Sequence, residues 1–564
     1  MFHMSFRILI LSSLCQIQTE CDKVFFMGYK ETFFFYDLET FGLNSQHDRI
    51  AQFAGIRVNT NLEVVEEPVV FYCKQSEDYL PDPLAVLVTH ILPQEVNENG
   101  FIEKEFMKKI YEIFSVPRTC VVGYNSLKFD DEFIRNGFFR NFFDPYEREY
   151  KKGNSRFDIF SLVRSAYDFR PEGIVWPMNE ETNRPRFSLT ALTTANNIPH
   201  EGAHDALSDV WATLNLARLI YRKQPKLFSY FLTMRDKQYV KSLLKTPFGE
   251  PVALTDQVFG STSGSTRIIS PITASKMNTN LVYAFDLSQD PSELMMLSNR
   301  IDTIINSKTN RDKIHKALQV VSNALLEGED NEVLKKASEA LTIALEELDK
   351  LPHLLEMSTS LINVKGIVKI SINKIPFISP LKTISGDEAT ARRLNINVDE
   401  CMRNYTTLLN SQNIPLNIVQ EEHNITYKEI DDVDFSLYSG SFLSSNDQGR
   451  CTIIRETKKE ELKEIDFPFD DERLDELLWR YRCRNFSETL DEKELKEWHG
   501  FCAQRIMQPL VKNGFGLSFF ARKIEENLQN NKMSDSDKKV LLSLKEYAKE
   551  LLKVLKITYP EPNL

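Results

Sequence analysis

The stretch Phe33-Phe34-Phe35-Tyr36-Asp37-Leu38-Glu39-Thr40 constrains the fold more than any other part of the chain. Its aromatic run, bounded by Lys30 and Gly42, is too short for a helix of its own and predicts a strand buried on both faces. That strand ends in acid. Side chains alternate along a strand, so Asp37 and Glu39 point to the same face, about 7 Å apart along the backbone. Two carboxylates brought to ~4 Å repel by about 4 kcal/mol at an effective dielectric near 20, and such a pair calls for a cation. A lone D-x-E is more often a pair of solvated strand-end acids, so the rest of the chain has to decide.

A chain of 564 residues has room for two to four domains, each with its own core. Hydrophobic residues at 42% and charged residues at 27% are ordinary for a soluble, ordered protein. The net charge of −12 argues against non-specific coating of nucleic acid, yet allows a local basic channel within an acidic whole. Eight cysteines without any C-x-x-C spacing predict a reducing compartment, and hence a cytoplasmic protein. No apolar run approaches the roughly 20 residues of a membrane helix. The segment Ile8 to Leu14 is a weak match to a secretory signal and has no A-x-A site after it. Residues 1–30 are therefore read as a non-functional N-terminal extension, with translation expected to start at Met27.

Alternating apolar residues from Ile50 to Val58, and again at Val69 to Tyr72, predict two further strands. Ile102 to Phe114 has helical spacing, and Cys120 to Gly123 is an apolar strand running through a turn into a helix at Asp130. A helix near Asp158 and another over Leu189 to Asn196 precede the segment from His204 to Leu214. There Asp205 stands where an N-cap belongs, and Val210, Leu214 and Ala217 form an apolar stripe. Strands followed by interspersed helices predict an α/β or α+β domain over 31–222, taken as α/β. Residues 223–380 alternate short apolar stretches with turn-rich segments, as a small β-barrel does. A helical tract at about 299–355 interrupts them, read as two amphipathic helices hinged at Gly328. Helical patterns then dominate 381–564, a C-terminal α-helical domain.

Four acids and one histidine fall in three separate stretches: Asp37 with Glu39, Asp130, and His204 with Asp209. Residues five apart on a helix lie about 140° apart, so His204 and Asp209 converge only if His204 lies in the preceding loop. Singly, Asp130 reads as well as a helix cap and His204 as a surface residue; jointly these bland readings become improbable.

The motifs Asp37-Leu38-Glu39-Thr40, Asn125 to Asp130 and His204-x-x-x-x-Asp209 resemble those of the DEDDh exonucleases, which have a ribonuclease-H-like fold. The wider contexts Tyr36 to Gly42, Arg170 to Pro177, Ile372 to Pro376 and Tyr481 to Phe486 resemble the bacterial exodeoxyribonuclease I family over roughly residues 31–555. The resemblance implies an exonuclease domain, a small barrel of the Src-homology type and a helical domain, together enclosing single-stranded DNA. Residues before 27 and the tract at 299–355 depart from it.

It also implies a 3′ to 5′ exodeoxyribonuclease of DNA repair and recombination that releases 5′-mononucleotides. Phosphodiester hydrolysis needs charge neutralised on the attacking and leaving oxygens, which two divalent ions about 3.5–4 Å apart can do. Two Mg²⁺ ions, with Mn²⁺ as a substitute, suit carboxylate ligands. Asp37 would bridge both ions, Glu39 and Asp209 would complete one site, and Asp130 would support the other. His204 would take the proton of the attacking water near neutral pH. Glu39, Thr40 and Ser188 would hold the terminal nucleotide, and Arg135, Tyr146, Tyr150 and Arg164 would contact the DNA strand. A second expected partner is the acidic tail of single-stranded-DNA-binding protein, met by Arg170, with the enzyme a monomer away from membranes.

Most phenylalanines between Arg135 and Lys151 also fit a core. Arg480, Arg482 and Arg484 spread around a helix and fit a solvated face equally well. Two further readings stand beside the main one: an RNA-trimming or proofreading member of the same superfamily, and an inactive DNA-binding scaffold.

Overall fold

The computed structural model describes residues 29–202, 205–260, 264–275, 278–326, 332–349, 364–410, 432–439, 442–507 and 516–557. They form two compact units. One takes in the described residues of 1–163, 172–228 and 427–564, and the other those of 164–171 and 229–426.

In the first unit the aromatic run lies in β1 (Thr32–Thr40), the central strand of a five-stranded sheet of order β3-β2-β1-β4-β5. Strands β2 (Ile50–Asn59) and β3 (Val69–Tyr72) continue it antiparallel, while β4 (Thr119–Gly123) and β5 (Ser155–Asp158) run parallel. The aromatic residues serve both faces, as a strand covered on two sides requires. Phe34 and Tyr36 pack with Phe53 of β2 and with Phe114 of α1 (Glu103–Phe114), ring centroids 5.2–6.2 Å apart. Helix α2 (Asp130–Arg140) follows β4 and opens with Asp130, Asp131 and Glu132, acids that the positive end of a helix dipole favours. Beyond α3 (Leu189–Ala195), helix α4 (Ala206–Lys223) packs against β1 and β2. Its N-cap is Asp205, whose carboxylate accepts from the Ser208 N–H at 3.2 Å, and Ala206, Val210, Thr213, Leu214, Ala217 and Ile220 form its buried stripe.

The second unit is built on an all-antiparallel five-stranded sheet. Its strands are β6 (Val252–Thr255), β7 (Thr266–Ala274), β8 (Leu281–Asp286), β9 (Ile367–Ser371) and β10 (Phe377–Pro380), in the order β9-β8-β7-β6-β10. Between β8 and β9 the long helix α5 (Ser292–Leu326) packs on α6 (Glu332–Asp349). The first helix thus begins ahead of residue 299, and Gly328 lies outside the described residues.

Returning to the first unit, α7 (Arg473–Asn485), α8 (Glu492–Met507), α9 (Leu517–Leu528) and α10 (Asp535–Val554) share a core with the sheet domain. Phe41, Tyr79, Leu80 and Val86 are buried with Trp498, Cys502, Phe520 and Leu544. Beside this core lies a buried ion cluster. Arg484 meets Asp78 and Asp434 at 2.7 Å each, Arg505 meets Asp434 at 2.6 Å, and Arg480 pairs with Asp432 and Asp434. Among the described residues no helix is long and apolar enough to cross a membrane.

Candidate active site

Strand β1 delivers Asp37 and Glu39, and the first turn of α4 delivers Asp209. One carboxylate oxygen from each lies within 4.8 Å of the others, with Glu39 buried and the other two half-buried. Burial and then repulsion from neighbouring acids act on Glu39 and Asp37 in the same direction. Glu39 is pushed up to about 9, by desolvation first and by Asp209, Asp130 and Asp205 after it. Asp37 is held well above the usual carboxylate range by burial, then by Asp130, Glu39 and Asp209. A divalent cation would remove the repulsion that raises these groups, and a set of hard oxygen donors fits Mg²⁺ or Mn²⁺ better than a soft metal.

Asp130 stands outside this trio, but close enough to raise both Asp37 and Glu39. The turn that carries it is held by its backbone. Asn125 adopts φ 62°, a left-handed conformation that asparagine tolerates better than most residues. The buried Asp158 carboxylate accepts from the N–H groups of Asn125 at 2.9 Å, Leu127 at 3.4 Å and Phe160 at 2.8 Å. The neighbouring acids Asp130 and Asp131 then meet opposite fates. Asp131 receives Tyr36 Oη at 2.8 Å, Arg148 at 2.6 Å and Arg156 at 2.7 Å, and although burial opposes it, these partners hold its carboxyl well below the usual range. Among the described residues Asp130 has no ion pair, and it is raised, by burial first and the Asp131 charge second. Asp131 anchors the helix; Asp130 faces the trio.

His204 lies outside the described residues. A different histidine reaches the acids: His200 Nε2 hydrogen-bonds Asp209 Oδ1, and its Nδ1 lies 3.1 Å from the Thr193 hydroxyl. The Gln52 amide, opposite Glu39 in the β1–β2 register, donates to Asp205 at 3.3 Å and accepts from the Ala206 N–H at 3.2 Å, clamping the start of α4. Nothing in the local sequence around His200 or Gln52 announces these contacts.

The remaining expected contacts fall in different settings. Thr40 is buried and its hydroxyl donates to Gly42 O at 2.7 Å. Ser188 is exposed at the N-cap of α3 with no side-chain capping bond. Tyr150 is 62% exposed, and Tyr146 lies half-buried under the edge of Phe442. Arg135 differs from the expected open DNA contact. It is 5% exposed, and its guanidinium binds Glu132, Glu149 and the Tyr438 hydroxyl while lying over the Tyr146 ring. In the second unit, Arg164 donates to Ser265 Oγ at 2.7 Å, and Arg170 is exposed. Arg480, Arg482 and Arg484 form no solvated face, because all three guanidinium groups are buried in ion pairs. Phe138, Phe139, Phe142 and Phe143 are core residues.

Three family models match in succession: an exonuclease model over 34–217, an exonuclease I SH3-like model over 235–318 and 339–425, and an exonuclease I C-terminal model over 431–551. Exodeoxyribonuclease I of Haemophilus influenzae is 37% identical over 484 residues, 85% of this chain and 92% of that protein. The chain belongs to the exodeoxyribonuclease I family. Solved structures agree with that membership. Escherichia coli exonuclease I in complex with a dA16 oligonucleotide superposes with a TM-score of 0.75 at 33% identity, over 93% of this chain and 100% of that one. A structure named as an ExoI/SSB-Ct complex gives 0.74 at 33% identity, with the same coverage. The exodeoxyribonuclease I family model takes in both ends of the helical tract expected at about 299–355, leaving 319–338 unmatched.

Proposed function

We propose that this protein is a Mg²⁺-dependent exodeoxyribonuclease that degrades single-stranded DNA from its 3′ end, releasing 5′-mononucleotides in DNA repair and recombination. The observation that carries this reading is the convergence of Asp37, Glu39 and Asp209, beside Asp130, in a chain of this family. Asp37, Glu39 and Asp209 would hold divalent cation, with Asp130 supporting a second position. When bound, the metal neutralises charge on the attacking and leaving oxygens of the phosphodiester.

The protein's own groups do the rest. Glu39 and Thr40, with the exposed Ser188, would grip the terminal nucleotide, and His204 would accept the proton of the attacking water. Tyr150 offers an exposed ring for base stacking, with Tyr146 and Arg164 as further contacts. Arg135 would act by supporting Tyr146 rather than by touching phosphate, since Glu132 and Glu149 take its donors. We take the organisation to be an exonuclease domain over 31–222, a barrel domain over 223–380 and a helical domain over 381–564, in a cytoplasmic monomer. Arg170 is the candidate contact for the acidic tail of single-stranded-DNA-binding protein.

The deciding experiment uses purified protein with 5′-labelled and 3′-labelled single-stranded DNA, matched RNA and duplex, with and without Mg²⁺. Stepwise shortening of 5′-labelled DNA and immediate release of mononucleotide from 3′-labelled DNA, both only with metal, are expected. Preference for RNA would move the chain to an RNA-trimming role, and binding without cleavage would make it a scaffold.

A further inference from the structure

We propose that His200 is a positioning residue of the metal site, holding the Asp209 carboxylate through Nε2 and so setting how tightly the site takes a divalent cation. This rests on the reading that Asp37, Glu39 and Asp209 bind such a cation.

The imidazole is engaged at both ends and its side chain is only 4% exposed. Nε2 faces Asp209 Oδ1, and Nδ1 faces the hydroxyl of the fully buried Thr193. Thr193 belongs to α3, so with its hydroxyl donating to Nδ1 and Nε2–H donating to Asp209, a tether runs from α3 to a carboxylate on α4. Neither ring nitrogen is left to serve as a proton acceptor for water, which separates His200 from the role proposed for His204.

Without a cation, the Asp209 carboxylate is repelled by Asp37 and Glu39 and gains by turning away from them. An N–H donor on Oδ1 opposes that in two ways. It restricts rotation about the two side-chain bonds, and it offsets part of the negative charge in a half-buried setting. Groups that hydrogen-bond a metal ligand in this manner commonly change metal affinity by about 10- to 100-fold when removed.

Mn²⁺ binding to the full chain without DNA, followed by calorimetry and by electron paramagnetic resonance, tests the assignment. The expected result is that His200→Ala weakens Mn²⁺ binding about 10- to 100-fold. His200→Gln recovers most of the loss, because its amide Nε2 can occupy the place of the imidazole Nε2. Thr193→Val, which cuts only the tether, weakens binding less than His200→Ala. In cleavage assays the half-saturating metal concentration rises in the same order, by more than kcat at saturating metal falls. Melting curves establish folding, and if His200→Ala does not fold, His200→Gln and Thr193→Val decide. Wild-type binding matched by His200→Ala overturns the inference and leaves the site intact. So does a collapse of kcat at saturating metal with unchanged Mn²⁺ affinity. Failure of the wild type to bind Mn²⁺ overturns the site reading itself.

Discussion

Gln52 and Glu39 are directly opposed across the β1–β2 ladder, and the amide of the first fastens the helix whose Asp209 faces the carboxylate of the second. One rung of the sheet therefore sets two of the three converging acids. Replacing Gln52 with leucine strips the Ala206 N–H and the Asp205 carboxylate of a partner. Loss of about 1–3 kcal/mol of stability is expected from urea unfolding. Cleavage should also need more metal, because the first turn of α4 is freed.

Asp209→Ala should lower hydrolysis by several orders of magnitude while single-stranded DNA affinity stays within a few-fold. The acid belongs to the site that neutralises the scissile phosphate, whereas the grip on the strand comes from elsewhere. Single-turnover cleavage alongside filter binding checks both halves. Near-normal turnover would remove Asp209 from the chemistry.

The raised acids make metal binding and stability depend on pH in opposite directions. The Glu39 carboxyl titrates near 4.5 when unfolded and at about 9 in the metal-free fold. Between those values the native state binds more protons than the unfolded state, so metal-free stability falls as pH rises from about 5 to about 9. Metal binding needs the ionised acids and so strengthens over the same range. Calorimetry in buffers of different ionisation enthalpy should show proton release on Mg²⁺ binding at pH 7, and melting curves should show Mg²⁺ stabilising more at pH 8 than at pH 6.

The buried cluster of Asp78 and Asp434 with Arg484 and Arg505 should be sensitive to loss of either sign. Arg484→Met leaves carboxylates buried with too few cations and should destabilise by about 3–5 kcal/mol. Both carboxyls lie below the usual range because, against the cost of burial, Arg484 and then Arg505 favour their charged forms. Their contribution is therefore complete above about pH 4 and is lost as pH falls further. Acid unfolding of Asp434→Asn beside the wild type measures it.

Tyr150→Ala should weaken single-stranded DNA binding by ~1–3 kcal/mol through lost stacking, with little change in salt dependence. Affinity of the wild type should fall with salt at a log–log slope near −0.7 per phosphate neutralised. A flat response would exclude a basic path despite the arginines in the chain.

The strand β1 and its acids were legible because all the information is local: an aromatic run, an alternation and two carboxylates. The cap at Asp205 was legible for the same reason. Asp130 and Asp131 are adjacent and chemically identical, and partners such as Arg148 and Arg156, 17 and 25 residues from Asp131, decide which one is spent on structure. The arginines of α7 were harder still. Spacing on a helix shows where side chains point, not what they meet, and Asp78 lies 406 residues from Arg484. His200 was hidden by its neighbour in sequence, since His204 fits the family spacing and His200 acts only through the folding of α3 against α4.

The shared core of Phe41, Tyr79 and Leu80 with Trp498 and Phe520 also bears on how the protein is made. About 450 residues separate Phe41 from Trp498, so at ~5–20 residues per second a ribosome needs roughly half a minute or more between them. Throughout that interval the nascent sheet shows an apolar flank, and Asp78 lacks its partners Arg484 and Arg505. That flank is covered only once the distant helices emerge, so this part of the core closes late in synthesis.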